Sequence, residues 1–140
     1  MTVERKPPLL AALRRLAAAA LLAVAGSALA GDVYVIANAA AQLTPEDLKE
    51  IFLGEVQFAG AVKLQPVDNA GAQADFLAKV LKMPATKYSA SWTKKAFRDG
   101  LNAPPVKATD AEVLRFVKST PGAIGYVASP PADVHVVGKF

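Results

Sequence analysis

Apolar positions along the chain switch between runs of strand character and helical stripes, and this alternation lays out most of the elements. Asp32 to Ala37 (DVYVIA) is a nearly unbroken apolar run, which predicts a strand covered on both faces. After a loop from Asn38 to Leu43, Thr44-Pro45-Glu46-Asp47 reads as a helix start, with an N-cap threonine, proline at N1 and acids in the first turn. Leu48, Ile51 and Phe52 give that helix its buried face, and Gly54 is a natural stop. Glu55 to Ala61 is a turn-rich link in which Phe58 is expected to plug the core. Lys63 to Val67 is a short strand, followed by an Asp68-Asn69-Ala70-Gly71 turn. A helix comes next, with Phe76, Leu77, Val80 and Leu81 on one stripe, ending before Pro84.

A second helix spans Ala85 to Phe97, with Tyr88, Trp92 and Phe97 as its aromatic residues and Trp92 expected in the core. Arg98 to Pro105 is a loop. Thr109-Asp110-Ala111-Glu112 carries a capping box and opens a helix with Val113, Leu114, Phe116 and Val117 on its apolar face. Thr120-Pro121-Gly122 turns the chain into a strand, Ala123 to Val127. Pro130-Pro131 ends it, and Asp133 to Val137 is a last strand. The order β, α, β, α, α, α, β, β predicts a single α/β sheet with helices packed on it.

The first thirty of the 140 residues read differently. Arg5, Lys6, Arg14 and Arg15 precede an apolar run from Leu16 to Gly26, and Ala28-Leu29-Ala30 is a small-x-small cleavage pattern. Residues 1–30 are therefore expected to be a cleaved signal peptide, and residues 31–140 a single exported lobe. The apolar run is too short to span a bilayer, and Arg14-Arg15 leaves Sec and twin-arginine export both open. The net charge of +4 comes largely from this segment, so the mature chain is nearly neutral and does not point to nucleic acid. With no cysteine, the chain has no thiolate zinc site, no cysteine nucleophile and no disulfide.

Catalytic chemistry finds no motif. His135 is the sole histidine and sits in an alternating strand, so a metal site is not expected. Ser89, Ser91, Ser119 and Ser129 lie outside any G-x-S-x-G elbow. Glu46, Asp47 and Glu50 are explained by helix capping, and Lys94, Lys95 and Arg98 by a solvated helix side. The expectation is no catalytic residue, no metal and no cofactor. The turn between the Lys63 strand and its helix remains as the candidate binding feature. Unpaired N–H groups and the dipole at a helix N-terminus attract anions. The candidate ligand-binding set is Asn38, Asn69, Ala70, Gly71, Ala72 and Gln73.

Three segments carry a family likeness: Leu48-x-x-Ile51-Phe52-Leu53-Gly54, Leu64-x-Pro66-Val67 with its turn and helix, and Thr120-Pro121-Gly122-Ala123-Ile124-Gly125-Tyr126-Val127. In this order they resemble the substrate-binding protein of the bacterial phosphate ABC transporter, over about Val33 to Val127. The resemblance implies one lobe of a type 2 periplasmic-binding-protein fold, with a mixed, mostly parallel sheet and helices on both faces. It also implies a periplasmic location and phosphate or another small anion as ligand. Partners would be an ABC permease, a sensor or another envelope protein, and a homodimer would supply the missing lobe.

Two departures stand out. Only one lobe is present, and the family's arginine and Ser-Gly-Thr grip is replaced by Asp68-Asn69-Ala70-Gly71-Ala72-Gln73, with Asp75 close by. A guanidinium contact is lost and two carboxylates are placed where an anion would sit. The anion site is therefore expected to be weak or eroded, and Asn69→Arg with Asp75→Thr to improve it. Two readings follow: a solute-binding module, or a non-catalytic envelope interaction and sensor-docking module that keeps the fold without the ligand.

Overall fold

The computed structural model describes residues 31–140, so the signal peptide expected over residues 1–30 lies outside the described residues. The sheet is built around β1 (Tyr34–Ala37). Strand β7 (Ala123–Val127) pairs antiparallel on one side of it and β8 (His135–Lys139) antiparallel on the other. Strand β4 (Gln65–Pro66) joins parallel to β7, giving the order β4-β7-β1-β8. The α/β class and the mixed sheet agree with the sequence reading, but both pairings of β1 are antiparallel, so the sheet is not mostly parallel. An unbroken apolar run records that both faces of a strand are covered; it carries no information about the direction of its neighbours.

Side chains alternate across the pleat, and helices cover both faces. Val35, Ala37, Ile124 and Tyr126 point into the larger core. There they meet α1 (Leu48–Phe52), α2 (Gln73–Phe76) with its π-helical continuation Leu77–Leu81, and α3 (Ala85–Asp99). Ile36, Ala123 and Val127 point the other way, onto Val113 and Val117 of α4 (Asp110–Ser119). The Thr120 to Val127 segment shows why its spacing is so particular. Gly122 has φ of +84°, and a Cβ there would come 2.0 Å from the Lys63 carbonyl oxygen. A Cβ on Gly125 would lie 2.6 Å from Cγ1 of Val113, so α4 can approach β7 only over glycine.

The expected Lys63–Val67 strand is divided. Val62–Lys63 (β3) pairs with Phe58–Ala59 (β2) in a hairpin, while Gln65–Pro66 belongs to the main sheet. Asp68–Asn69, read as a turn, is strand β5, and it pairs in parallel with β6 (Val106–Lys107), which the sequence reading left unassigned between a loop and a helix. The hairpin carries Phe58 outward, 56 % exposed, so it does not plug the core. Phe97 is 89 % exposed at the end of α3, whereas Trp92 is buried as expected and Tyr88 is buried beside it. Lys95, taken as solvated, is buried and bonded to Glu55 at 2.6 Å.

Phe52 and Ile124 have no solvent exposure. Truncating such side chains typically costs about 2–5 kcal/mol. Chemical denaturation of Phe52→Ala and Ile124→Ala should show losses in that range, and parent-like midpoints would contradict the core described.

Candidate functional site

The candidate turn begins in β5, where Asp68 is 2 % exposed and Asn69 is wholly buried. Asn69 Nδ2 donates to Asp110 Oδ1 at 2.7 Å and to the Tyr126 carbonyl at 3.0 Å. Its Oδ1 accepts from the Gly71 N–H at 3.1 Å. The second Asp110 oxygen accepts from the N–H groups of Ala128 and Ser129, each at 3.1 Å. One carboxamide thus ties β5 to the first turn of α4 and the far end of β7. The neighbouring donors are also committed: the Ala70 N–H to the Lys107 carbonyl at 2.9 Å, and the Ala72 N–H to the Asn69 carbonyl at 3.1 Å. The backbone donors of Ala70, Gly71 and Ala72 therefore all serve the fold itself. Ala70 and Gly71 are exposed, Ala72 is buried and Gln73 is half-buried at the start of α2.

Beside this turn the Asp68 carboxylate accepts from two phenols, Tyr88 at 2.9 Å and Tyr126 at 2.7 Å. Burial pushes the Asp68 carboxyl up from its ordinary value, and the hydrogen bonds from Tyr126, Tyr88 and Gln73 oppose that shift without cancelling it. Burial, followed by the charge of Asp68, pushes both phenols well above their ordinary range. They hold their protons and act as donors, not as bases, near neutral pH. Tyr126 is fixed by stacking on Phe76, with ring centroids 3.9 Å apart, and Phe52 packs edge-on against Phe76. Outside the carboxylate lies an open hollow of about 390 Å³, whose polar lining includes Gln73, Ser89, Thr93 and Asn102. Neither lysine nor arginine lines it, so an anion there would meet a carboxylate and no cation.

Asn38 belongs elsewhere. Its Nδ2 donates to the carbonyls of Val117 at 2.9 Å and Lys118 at 3.3 Å, and its Oδ1 accepts from the Ala40 N–H at 3.0 Å. It satisfies the C-terminal end of α4, while Asn69 holds the N-terminal end, about 10 Å away at the rise of a helix. The structure brings Asn69 to Gln73 together and leaves Asn38 apart from them. The partners that sequence reasoning missed are Tyr88, Asp110 and Tyr126. Tyr126 stood within the Thr120–Val127 motif and Asp110 within a capping box, but nothing in their spacing pointed to β5. His135 is exposed on β8.

The burial of Asp68 has a sign. A carboxyl whose folded pKa lies above its unfolded one favours folding below the ordinary value of 3.8 and loses that margin as pH rises through the raised value. Asp68→Asn should flatten this dependence. Unfolding free energies from about pH 4 to about pH 8 should show the parent losing ground to Asp68→Asn as pH rises. A difference that does not change with pH would mean that Asp68 ionises in the fold as it does in the unfolded chain.

No family model and no curated protein matches the sequence. Among solved structures, the chain is similar to PstS from Borrelia burgdorferi, at 16% identity and a TM-score of 0.45. That alignment covers 69% of this chain and 41% of the other. It is also similar to an ABC-type phosphate transport receptor from Vibrio cholerae, at 15% identity and a TM-score of 0.46, over 76% of this chain and 46% of that one. The chain spans less than half the length of either protein it matches.

Proposed function

We propose that this chain is an exported, non-catalytic lobe that keeps a solute-binding-protein-like scaffold and serves as an envelope interaction module, with no phosphate held at its Asp68–Gln73 turn. Export rests on the basic, apolar and small-residue pattern of residues 1–30. The reading of the site rests on one observation: the side chain of Asn69 and the N–H groups of Ala70, Gly71 and Ala72 are all bonded within the lobe. In this reading Phe97, 89 % exposed on α3 beside Lys94 and Arg98, is part of the docking surface. Its partner in this reading is an envelope protein such as a permease or sensor.

A helix end contributes about 0.3–1 kcal/mol to a favourable charge, against about 8 kcal/mol for micromolar affinity. The turn adds no arginine, and its carboxylate opposes an anion. Isothermal titration of the chain from Gly31 onward with phosphate should therefore show nothing tighter than about millimolar. Asn69→Arg should not restore binding, because the guanidinium would have to displace a buried carboxamide and break its bond to Asp110; it should lower the melting temperature instead. This reverses the improvement expected from sequence. Micromolar binding by the monomer would overturn the proposal. Phosphate binding that strengthens with protein concentration would favour the rival reading, a solute-binding module closed by a second copy.

A further inference from the structure

A second hollow, of about 360 Å³, lies against Lys63, Leu64 and Pro66, just before β5 in the chain. Its floor is apolar, from Ile51, Leu64 and the indole of Trp92, and its polar lining side chains are Gln57, Lys63 and Asn102. The indole is fixed in place: its Nε1 donates to the Phe52 carbonyl at 3.1 Å, and a Cβ on Gly54 would come 2.6 Å from Cη2. The polar groups are not committed. Among the described residues the ammonium of Lys63 makes no ion pair, and the side chains of Gln57 and Asn102 make no hydrogen bond. No aspartate or glutamate lines the hollow.

We propose that this hollow binds a small amphipathic carboxylate, a compact alkyl or aryl acid whose charge meets Lys63 and whose apolar body rests on Trp92. The volume lies at the low end for small-molecule sites, about 300–1,000 Å³, which limits the ligand to a short acid. A lone lysine with two carboxamides matches one carboxylate. It does not match phosphate, which would bring a larger charge onto an apolar floor with a single cation to meet it. The inference is independent of the interaction role proposed above, because it concerns a different hollow and a different ligand.

Trp92 is the chain's single tryptophan, so its emission reports binding in this hollow or in the adjoining one beside Asp68, which the variants below tell apart. Titration with cyclohexanecarboxylate, which does not absorb with indole, should give a saturable change in emission. Affinity should fall about threefold to fivefold for cyclohexanecarboxamide, and by a similar factor for the carboxylate with Lys63→Gln, the loss expected of one exposed charge contact. Lys63 is exposed, so Lys63→Gln should melt with the parent. Three results would each overturn the proposal: no saturable change with the carboxylate, equal affinity for acid and amide, or carboxylate binding indifferent to Lys63→Gln. The last of these would place the ligand in the neighbouring hollow beside Asp68, which Trp92 also lines.

Discussion

A carboxylate and a carboxamide in adjacent positions of a two-residue strand, both out of water, constrain much of this lobe. Buried polar groups are tolerated only when bonded, and one left unmet costs about 1–3 kcal/mol. Asp68 is met by hydroxyls from α3 and β7, and Asn69 by the first turn of α4 and the end of β7. The second oxygen of Asp110 extends the network to Ala128 and Ser129. No buried side-chain nitrogen or oxygen among the described residues lacks a partner. The network thus joins the two cores on either side of the sheet, because Tyr126 reaches into one while α4 closes the other.

The same bonds limit which donors the turn has to offer. A strand leading into a helix through small residues offers several backbone donors, and such a turn can hold an anion when those donors point outward with a cation near. Here the polarity is turned inward. The side chain of Asn69 stays inside the fold and takes up the Gly71 donor, and the hollow beside Asp68 contains no basic side chain. The exposed chemistry lies elsewhere, at Phe97 and around Lys63.

Much of the architecture was legible in the sequence because apolar period and capping report local covering. The helices around Leu48, Tyr88 and Val113 and the strands around Val35 and Ile124 follow from it, as does the burial of Trp92. Direction and pairing did not follow. Nothing in Val106-Lys107 alone marks a strand, since two residues show no period, and their pairing depends on Asp68 and Asn69 some forty positions earlier. Asp68-Asn69 carries turn chemistry by residue type, and only tertiary partners make it a buried strand. Phe58 and Phe97 show the converse limit: an aromatic residue in an apolar neighbourhood is not thereby buried. Asn69 to Gln73 do lie together in the fold, but the tyrosines and the aspartate that bond to Asp68 and Asn69 come from remote elements, which no local spacing reveals.

The donors of Ala70, Gly71 and Ala72 are used within the lobe. Amide hydrogen exchange read by NMR tests this assignment residue by residue. These three amides should exchange as slowly as their neighbours in β5, and their resonances should stay in place when phosphate is added. Fast exchange at Gly71 and Ala72, with shifts that saturate as phosphate is titrated, would contradict it and return the turn to the role of an anion site.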